Sequence, residues 1–98
     1  MNRQTIAQKA KDYFKTQPVL KAWLFGSYAR GEEKANSDVD ILVLLDNSKP
    51  VGLSFFGMFE DLRELFGQNV DLVTERSLAN YARPSVDRDK ILIYERTA

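Results

Sequence analysis

Asp38-Val39-Asp40-Ile41-Leu42-Val43-Leu44-Leu45 is the stretch from which the fold can be read. Alternation places Val39, Ile41, Val43 and Leu45 on one face and Asp38, Asp40, Leu42 and Leu44 on the other. Beyond Asp40 both faces are apolar. A strand of that kind belongs in the middle of a sheet, covered on both sides. The two carboxylates at its start break the pattern on one face only, and strands disfavour Asp to begin with.

Working outward, Val19 to Phe25 is a second run of strand formers, stopped by Gly26. Before it, residues 2–16 read as an amphipathic helix, with Ile6, Ala10, Tyr13 and Phe14 on one stripe and Pro18 ending it. Gly26 to Gly31 reads as a turn with one helical turn after it, and Glu32 to Asn36 as an exposed loop. Downstream, Asp46 to Gly52 is a loop. Ser54 is expected to cap a helix to about Phe66, with Gly67 at the position just past its end. Val70 to Thr74 alternates as a strand. Ser77 is expected to cap a short helix, Pro84 to open another, and Ile91 to Tyr94 to form a helix end or a last strand. The expectation is an α/β fold in which helices flank a small mixed β-sheet, all within one domain spanning residues 1–98.

Composition narrows the chemistry. The chain has no Cys and no His, which excludes disulfides, thiolate nucleophiles, the usual zinc ligand sets and Ser-His-Asp catalysis. What remains is carboxylates, hydroxyls, backbone amides, Lys and Arg, a set suited to hard cations such as magnesium or manganese. Fourteen basic and fourteen acidic residues cancel, so the chain lacks the basic excess of a protein that grips long nucleic acids. No stretch has the length of a signal peptide's apolar core or of a membrane span; no membrane partner is expected, and the cytoplasm is the default location.

Three features could converge if the strands are neighbours. Gly26-Ser27 lies at a strand-to-helix junction, where a close backbone approach, free N–H groups and a hydroxyl suit phosphate. Alone, such a pair is an ordinary turn. Asp38 and Asp40 share a strand face with α-carbons about 6.6 Å apart, a spacing that could bracket two metal ions about 3.5–4 Å apart. Asp71 is the lone carboxylate of the strand Val70 to Thr74. Two carboxylates about 6 Å apart repel by roughly 3 kcal/mol at an effective dielectric near 20, and a divalent cation reverses that sign. Each Asp taken singly could equally be a strand cap, a solvated group or a partner for Arg.

Leu24-Phe25-Gly26-Ser27-Tyr28-Ala29-Arg30-Gly31 followed by Ser37-Asp38-Val39-Asp40-Ile41 resembles the signature of the minimal nucleotidyltransferases, small relatives of DNA polymerase β. That signature is Gly-Ser, ten residues, then Asp-x-Asp. Tyr28 to Ser37 are those ten, and Val70-Asp71-Leu72-Val73 is similar to the family's third-carboxylate strand. The likeness runs from the first strand to about Thr74. It implies a polymerase β-like core in which Asp38, Asp40 and Asp71 bind magnesium (two ions) and carry catalysis, Asp71 helping to activate the acceptor hydroxyl. It also implies that Gly26 and Ser27 hold the triphosphate of ATP. Arg30 either contacts phosphate or braces its loop with an ion pair.

Family members of this size resemble the antitoxin half of toxin–antitoxin modules whose toxin is a HEPN-family ribonuclease. The resemblance therefore implies transfer of AMP from ATP to a hydroxyl, a tyrosine, of such a toxin. Larger members carry a further helical region that grips base and acceptor, so a partner is expected to complete the pocket. Two other readings stand beside this one: a non-catalytic antitoxin that occludes its toxin, and a transferase acting on a small molecule or an RNA 3′ end. Among the remaining residues, Phe59, Leu62 and Phe66 are expected in the core, while some of Phe55, Phe56 and Met58 are candidates for a partner patch. Tyr28, Tyr81 and Tyr94 are candidate self-modification sites, with packing as the simpler role. Arg83, Arg88, Lys90 and Arg96 form a mildly basic tail, either solvated or docking an acidic partner.

Overall fold

A computed structural model describes residues 2–48 and 52–97. The chain runs α1 (Arg3–Phe14), β1 (Val19–Phe25), α2 (Gly26–Arg30), β2 (Val39–Leu45), α3 (Gly52–Phe66), β3 (Val70–Thr74), α4 (Arg83–Asp89) and β4 (Ile91–Glu95). The four strands form one sheet in the order β3-β2-β1-β4. β1 is antiparallel to both of its neighbours, and β2 is parallel to β3, so the sheet is mixed and β2 lies inside it.

The apolar pattern explains the layers. On one face, Ile6, Ala10 and Phe14 of α1 and Met58, Leu62 and Phe66 of α3 bury themselves against Ala22, Leu24, Val39, Ile41, Val43, Val70 and Leu72. Each of the larger side chains contributes about 1.5–3 kcal/mol by leaving water. On the other face, Leu42 is buried with Leu78 and Val86, and Trp23, Phe25, Val73 and Ala82 pack around them. The double apolar character of β2 is thus satisfied by two separate clusters, as its sequence requires.

Local chemistry sets the ends of the elements. Asn2 caps α1 by accepting from the Thr5 N–H at 2.8 Å. The helix ends at Phe14, four residues before Pro18 and short of the range 2–16 read from sequence. Gly67, with φ +66°, ends α3 by donating to the Arg63 carbonyl at 2.9 Å. The Tyr13 hydroxyl donates to Asp61 at 2.6 Å, tying α1 to α3. Burial first, and that bond second, push its phenol well above the usual range.

Several sequence expectations need correction. α3 begins at Gly52, so Ser54 sits within its first turn and is not its cap; residues 49–51 of the expected loop lie outside the described residues. Met58, assigned to a possible partner patch, is fully buried, whereas Phe56 is exposed and Phe55 and Phe59 are half-buried. No helix follows Ser77. Its amide and hydroxyl bond back to Thr74, closing a turn that lets Leu78 reach the sheet. Pro84 does open α4, and Ile91–Glu95 is a strand. Among the described residues, no helix is long and apolar enough to cross a membrane.

Candidate active site

Register brings the acidic residues together. Phe25 of β1 pairs with Asp40 of β2, and Asp40 pairs with Asp71 of β3. Asp40 and Asp71 therefore sit side by side at about the 4.8 Å spacing of neighbouring strands, on the same face as Leu42 and Val73. Asp38 lies one residue ahead of β2, exposed, at the end of the loop that leads into it. The Val39 N–H donates to the Asn69 carbonyl at 3.0 Å, which fixes where that loop joins the sheet.

The partner of Asp40 across β1 leads straight into Gly26. This glycine has φ +72°, and a Cβ placed on it would lie 2.8 Å from the Asp40 Cγ and closer still to Oδ2. The carboxylate thus packs against the bare Cα at the start of α2. Two demands coincide at one residue: a left-handed backbone and room for an acid. No side chain caps α2 at its first turn, and Gly26 and Ser27 are both half-buried. The Ser27 carbonyl accepts from Gly31 and Glu32, closing the far end of the short helix.

Electrostatics single out Asp40. Its carboxyl is raised from 3.8 to about 6, chiefly because it is partly removed from water, then because Asp71 and Asp38 repel its charge. Arg30 acts in the opposite direction. Asp40 therefore feels both of the other acids, though among the described residues no three acidic side chains form a closed metal-binding group. Magnesium is commonly held by one or two carboxylates, with substrate phosphates and water completing the shell. An all-oxygen pair in register, a third acid close by and a side-chain-free backbone beside them fit such an ion.

Arg30 forms two ion pairs. It donates to Glu32 at 2.6 Å and to Asp89 at 3.4 Å, linking α2 to the following loop and to α4. Asp89 carried no signal in the sequence, and neither did Gln68. The Gln68 side-chain amide donates to the Tyr28 hydroxyl at 2.8 Å and to the Ser37 carbonyl at 3.0 Å. Tyr28 and Tyr94 are buried and Tyr81 is almost fully exposed. The basic residues of the C-terminal segment pair within the chain: Arg83 with Glu75, Arg88 with Asp89, Lys90 with Asp87 and Arg96 with Asp46. Lys90 also lies 4.8 Å from the centre of the Trp23 ring. A cavity of about 760 Å³ opens at the other end of β1, lined by Lys11, Lys15, Gln17 and Arg96 among others. The acidic site takes no part in it.

Residues 8–98 match the family model described as "Polymerase beta, Nucleotidyltransferase". A Methanocaldococcus jannaschii relative, provisionally named a protein adenylyltransferase, is 39% identical over 85 residues, spanning 85% of this chain and 82% of its own. A Thermococcus cleftensis relative named protein adenylyltransferase MntA is 43% identical over 75 residues, spanning 76% of this chain and 75% of its own. Among solved structures, one described as "Crystal structure of the toxin-antitoxin with AMP-PNP" superposes with a TM-score of 0.72 at 25% identity. The match covers 99% of this chain and 76% of that one.

Proposed function

Since the chain belongs to the polymerase beta nucleotidyltransferase family, we propose that it transfers AMP from ATP to a hydroxyl, a tyrosine, of a HEPN-family toxin and thereby acts as its antitoxin. The observation that carries this reading is the Asp40–Asp71 register with Gly26 packed against Asp40, because it assembles acids and phosphate-accepting backbone in one place. The relatives' protein adenylyltransferase names support the reaction class, and the toxin–antitoxin complex with AMP-PNP supports a toxin partner and an adenine triphosphate.

In this mechanism Asp38 and Asp40 would hold magnesium beside the triphosphate, and Asp71 would complete the metal site and help activate the acceptor hydroxyl. Magnesium, as two ions, supplies charge neutralisation on the phosphates and lowers the cost of ionising the acceptor. The chain's own contribution is placement. Gly26 and Ser27 present backbone N–H groups and a hydroxyl to the β- and γ-phosphates. Asp71 orients the acceptor hydroxyl and takes up its proton as the oxygen attacks the α-phosphorus in line, the bond to the bridging oxygen breaks, and pyrophosphate leaves. Burial first, and the neighbouring acids second, raise the Asp40 carboxyl to about 6, and a bound cation would favour its ionised form. The test incubates the purified chain, ATP and magnesium with the neighbouring gene product and measures that product's intact mass. A mass increase of one or more AMP groups is expected. An unmodified partner overturns the proposal.

A second reading, neutralisation by occlusion alone, draws on the exposed Phe56 and Leu92, which are large apolar groups available to a partner. Full neutralisation in cells by an Asp40→Asn chain would favour it over transfer.

A further inference from the structure

We infer that Gln68 is a positioning residue for the acidic site, holding the Asp38 loop and the Gly26-Ser27 turn at a fixed separation through the two N–H bonds of one side-chain amide. The inference rests on the functional reading above and adds a residue to it. Gln68 lies in the turn between α3 and β3. From there its Nε2 reaches two segments distant in sequence: the Tyr28 hydroxyl, 40 residues away, at 2.8 Å, and the Ser37 carbonyl, 31 residues away, at 3.0 Å. Tyr28 follows Ser27 directly and is buried, so its ring moves with α2. Ser37 precedes Asp38 directly.

The orientation of the amide is dictated by chemistry. The Ser37 carbonyl can only accept, so the NH₂ end of Gln68 must face it, and the second N–H then points to the phenol oxygen. Among the described residues, the other bonds of this segment are internal: Lys34 N–H to Ser37 Oγ at 2.7 Å and Ser37 N–H to the Lys34 carbonyl at 3.0 Å. They shape the loop without tying it to the body of the protein. Asp38, exposed and outside the strand, thus depends on Gln68 on one side and on the Val39–Asn69 bond on the other. A ligand carboxylate held this way is pre-placed, and loss of such an outer partner commonly weakens metal affinity about 10–100-fold.

The experiment compares wild type, Gln68→Glu and Tyr28→Phe. Glutamate keeps the shape of glutamine but has no N–H and repels the Ser37 carbonyl. Two quantities are read: amide hydrogen exchange across residues 34–39, and Mn²⁺ affinity by electron paramagnetic resonance in the presence of a non-hydrolysable ATP analogue. Thermal unfolding checks that each variant is folded, and Gln68→Leu serves if Gln68→Glu is not. The expected result is several-fold faster exchange in the loop and about 10-fold weaker Mn²⁺ binding for the Gln68 variant. Tyr28→Phe, which cuts the tie to α2 and leaves the Ser37 bond, should keep loop exchange near wild type and weaken Mn²⁺ binding less than the Gln68 variant does; wild-type Mn²⁺ affinity in folded Tyr28→Phe overturns the link to the Gly26-Ser27 turn. Unchanged exchange or unchanged Mn²⁺ affinity in a folded Gln68 variant overturns the inference alone. A wild-type chain that binds no Mn²⁺ contradicts the functional reading itself, and the inference falls with it.

Discussion

The Asp40 carboxylate occupies the volume that a side chain at residue 26 would fill. Gly26 is therefore tied to the acid as much as to any phosphate: it is the one residue type that allows the acid to sit beside the start of α2 while the backbone takes φ +72°. Gly26→Ala should destabilise the protein by about 2 kcal/mol or more, from left-handed strain plus the collision with Asp40. Chemical denaturation measures it. Because the collision needs both partners, Gly26→Ala combined with Asp40→Ala should cost less than the sum of the single changes. Simple additivity would mean that the contact is not felt.

Asp40 makes folding pH-dependent in a defined direction. Its carboxyl is raised from 3.8 to about 6 in the folded chain, so between those values the folded state binds more protons than the unfolded state. Stability from this group is fully present below 3.8 and is lost as pH rises through about 6. Solvent screening of a partly exposed group trims the effect without changing its sign. In metal-free buffer, Asp40→Asn should raise the unfolding midpoint at about pH 7.5 and leave it unchanged near pH 3.5. Thermal melts at the two pH values decide it; a variant less stable than wild type at the higher pH contradicts the assignment.

The causes of that shift can be separated. Carboxyl-carbon NMR titration of the metal-free chain should place Asp40 near 6. Asp71→Asn removes the larger of the two repelling charges and should move the titration down, while Arg30→Gln removes the opposing cation and should move it up. The same direction for both variants would show that the neighbours act through structure and not through charge.

Much of this arrangement was legible before any coordinates. The two apolar faces of Ile41 to Leu45 call for a central strand, and Asp71 could complete the site only from a neighbouring strand at matching height; the register pairs Asp40 with Asp71 directly. The rest depended on tertiary partners that leave no local trace. Ser77 resembles a helix cap, yet Thr74 offers its amide and hydroxyl a nearer partner. Arg30 pairs with Asp89, 59 residues away, a contact that no local pattern announces. Met58 looked like surplus apolar surface because α3 carries more than one stripe, and only its seating between α1 and the sheet shows which stripe is buried. Gln68 is a polar residue in a turn, and nothing in its neighbours along the chain points to Tyr28 or Ser37.

Helix α3 carries buried and exposed apolar residues side by side, Met58 and Phe56 being two positions apart. Met58 and Leu62 have no solvent exposure, whereas Phe56 is 71% exposed. Met58→Ala and Leu62→Ala should each cost about 2–5 kcal/mol. Phe56→Ser should stay within about 0.5 kcal/mol of wild type in the isolated chain. Denaturant midpoints at equal slope report all three, and a large loss for Phe56→Ser would place that ring in the core.

The most direct test of the account follows label from α-labelled ATP in the presence of magnesium and the partner toxin. Wild type should transfer the label to the partner, and Asp40→Asn and Asp71→Asn should each reduce the rate by at least about 100-fold, because every transfer needs the paired acids to place charge and acceptor. Transfer by either variant at the wild-type rate, or no transfer by wild type, would contradict the claim that the Asp40–Asp71 pair carries the chemistry.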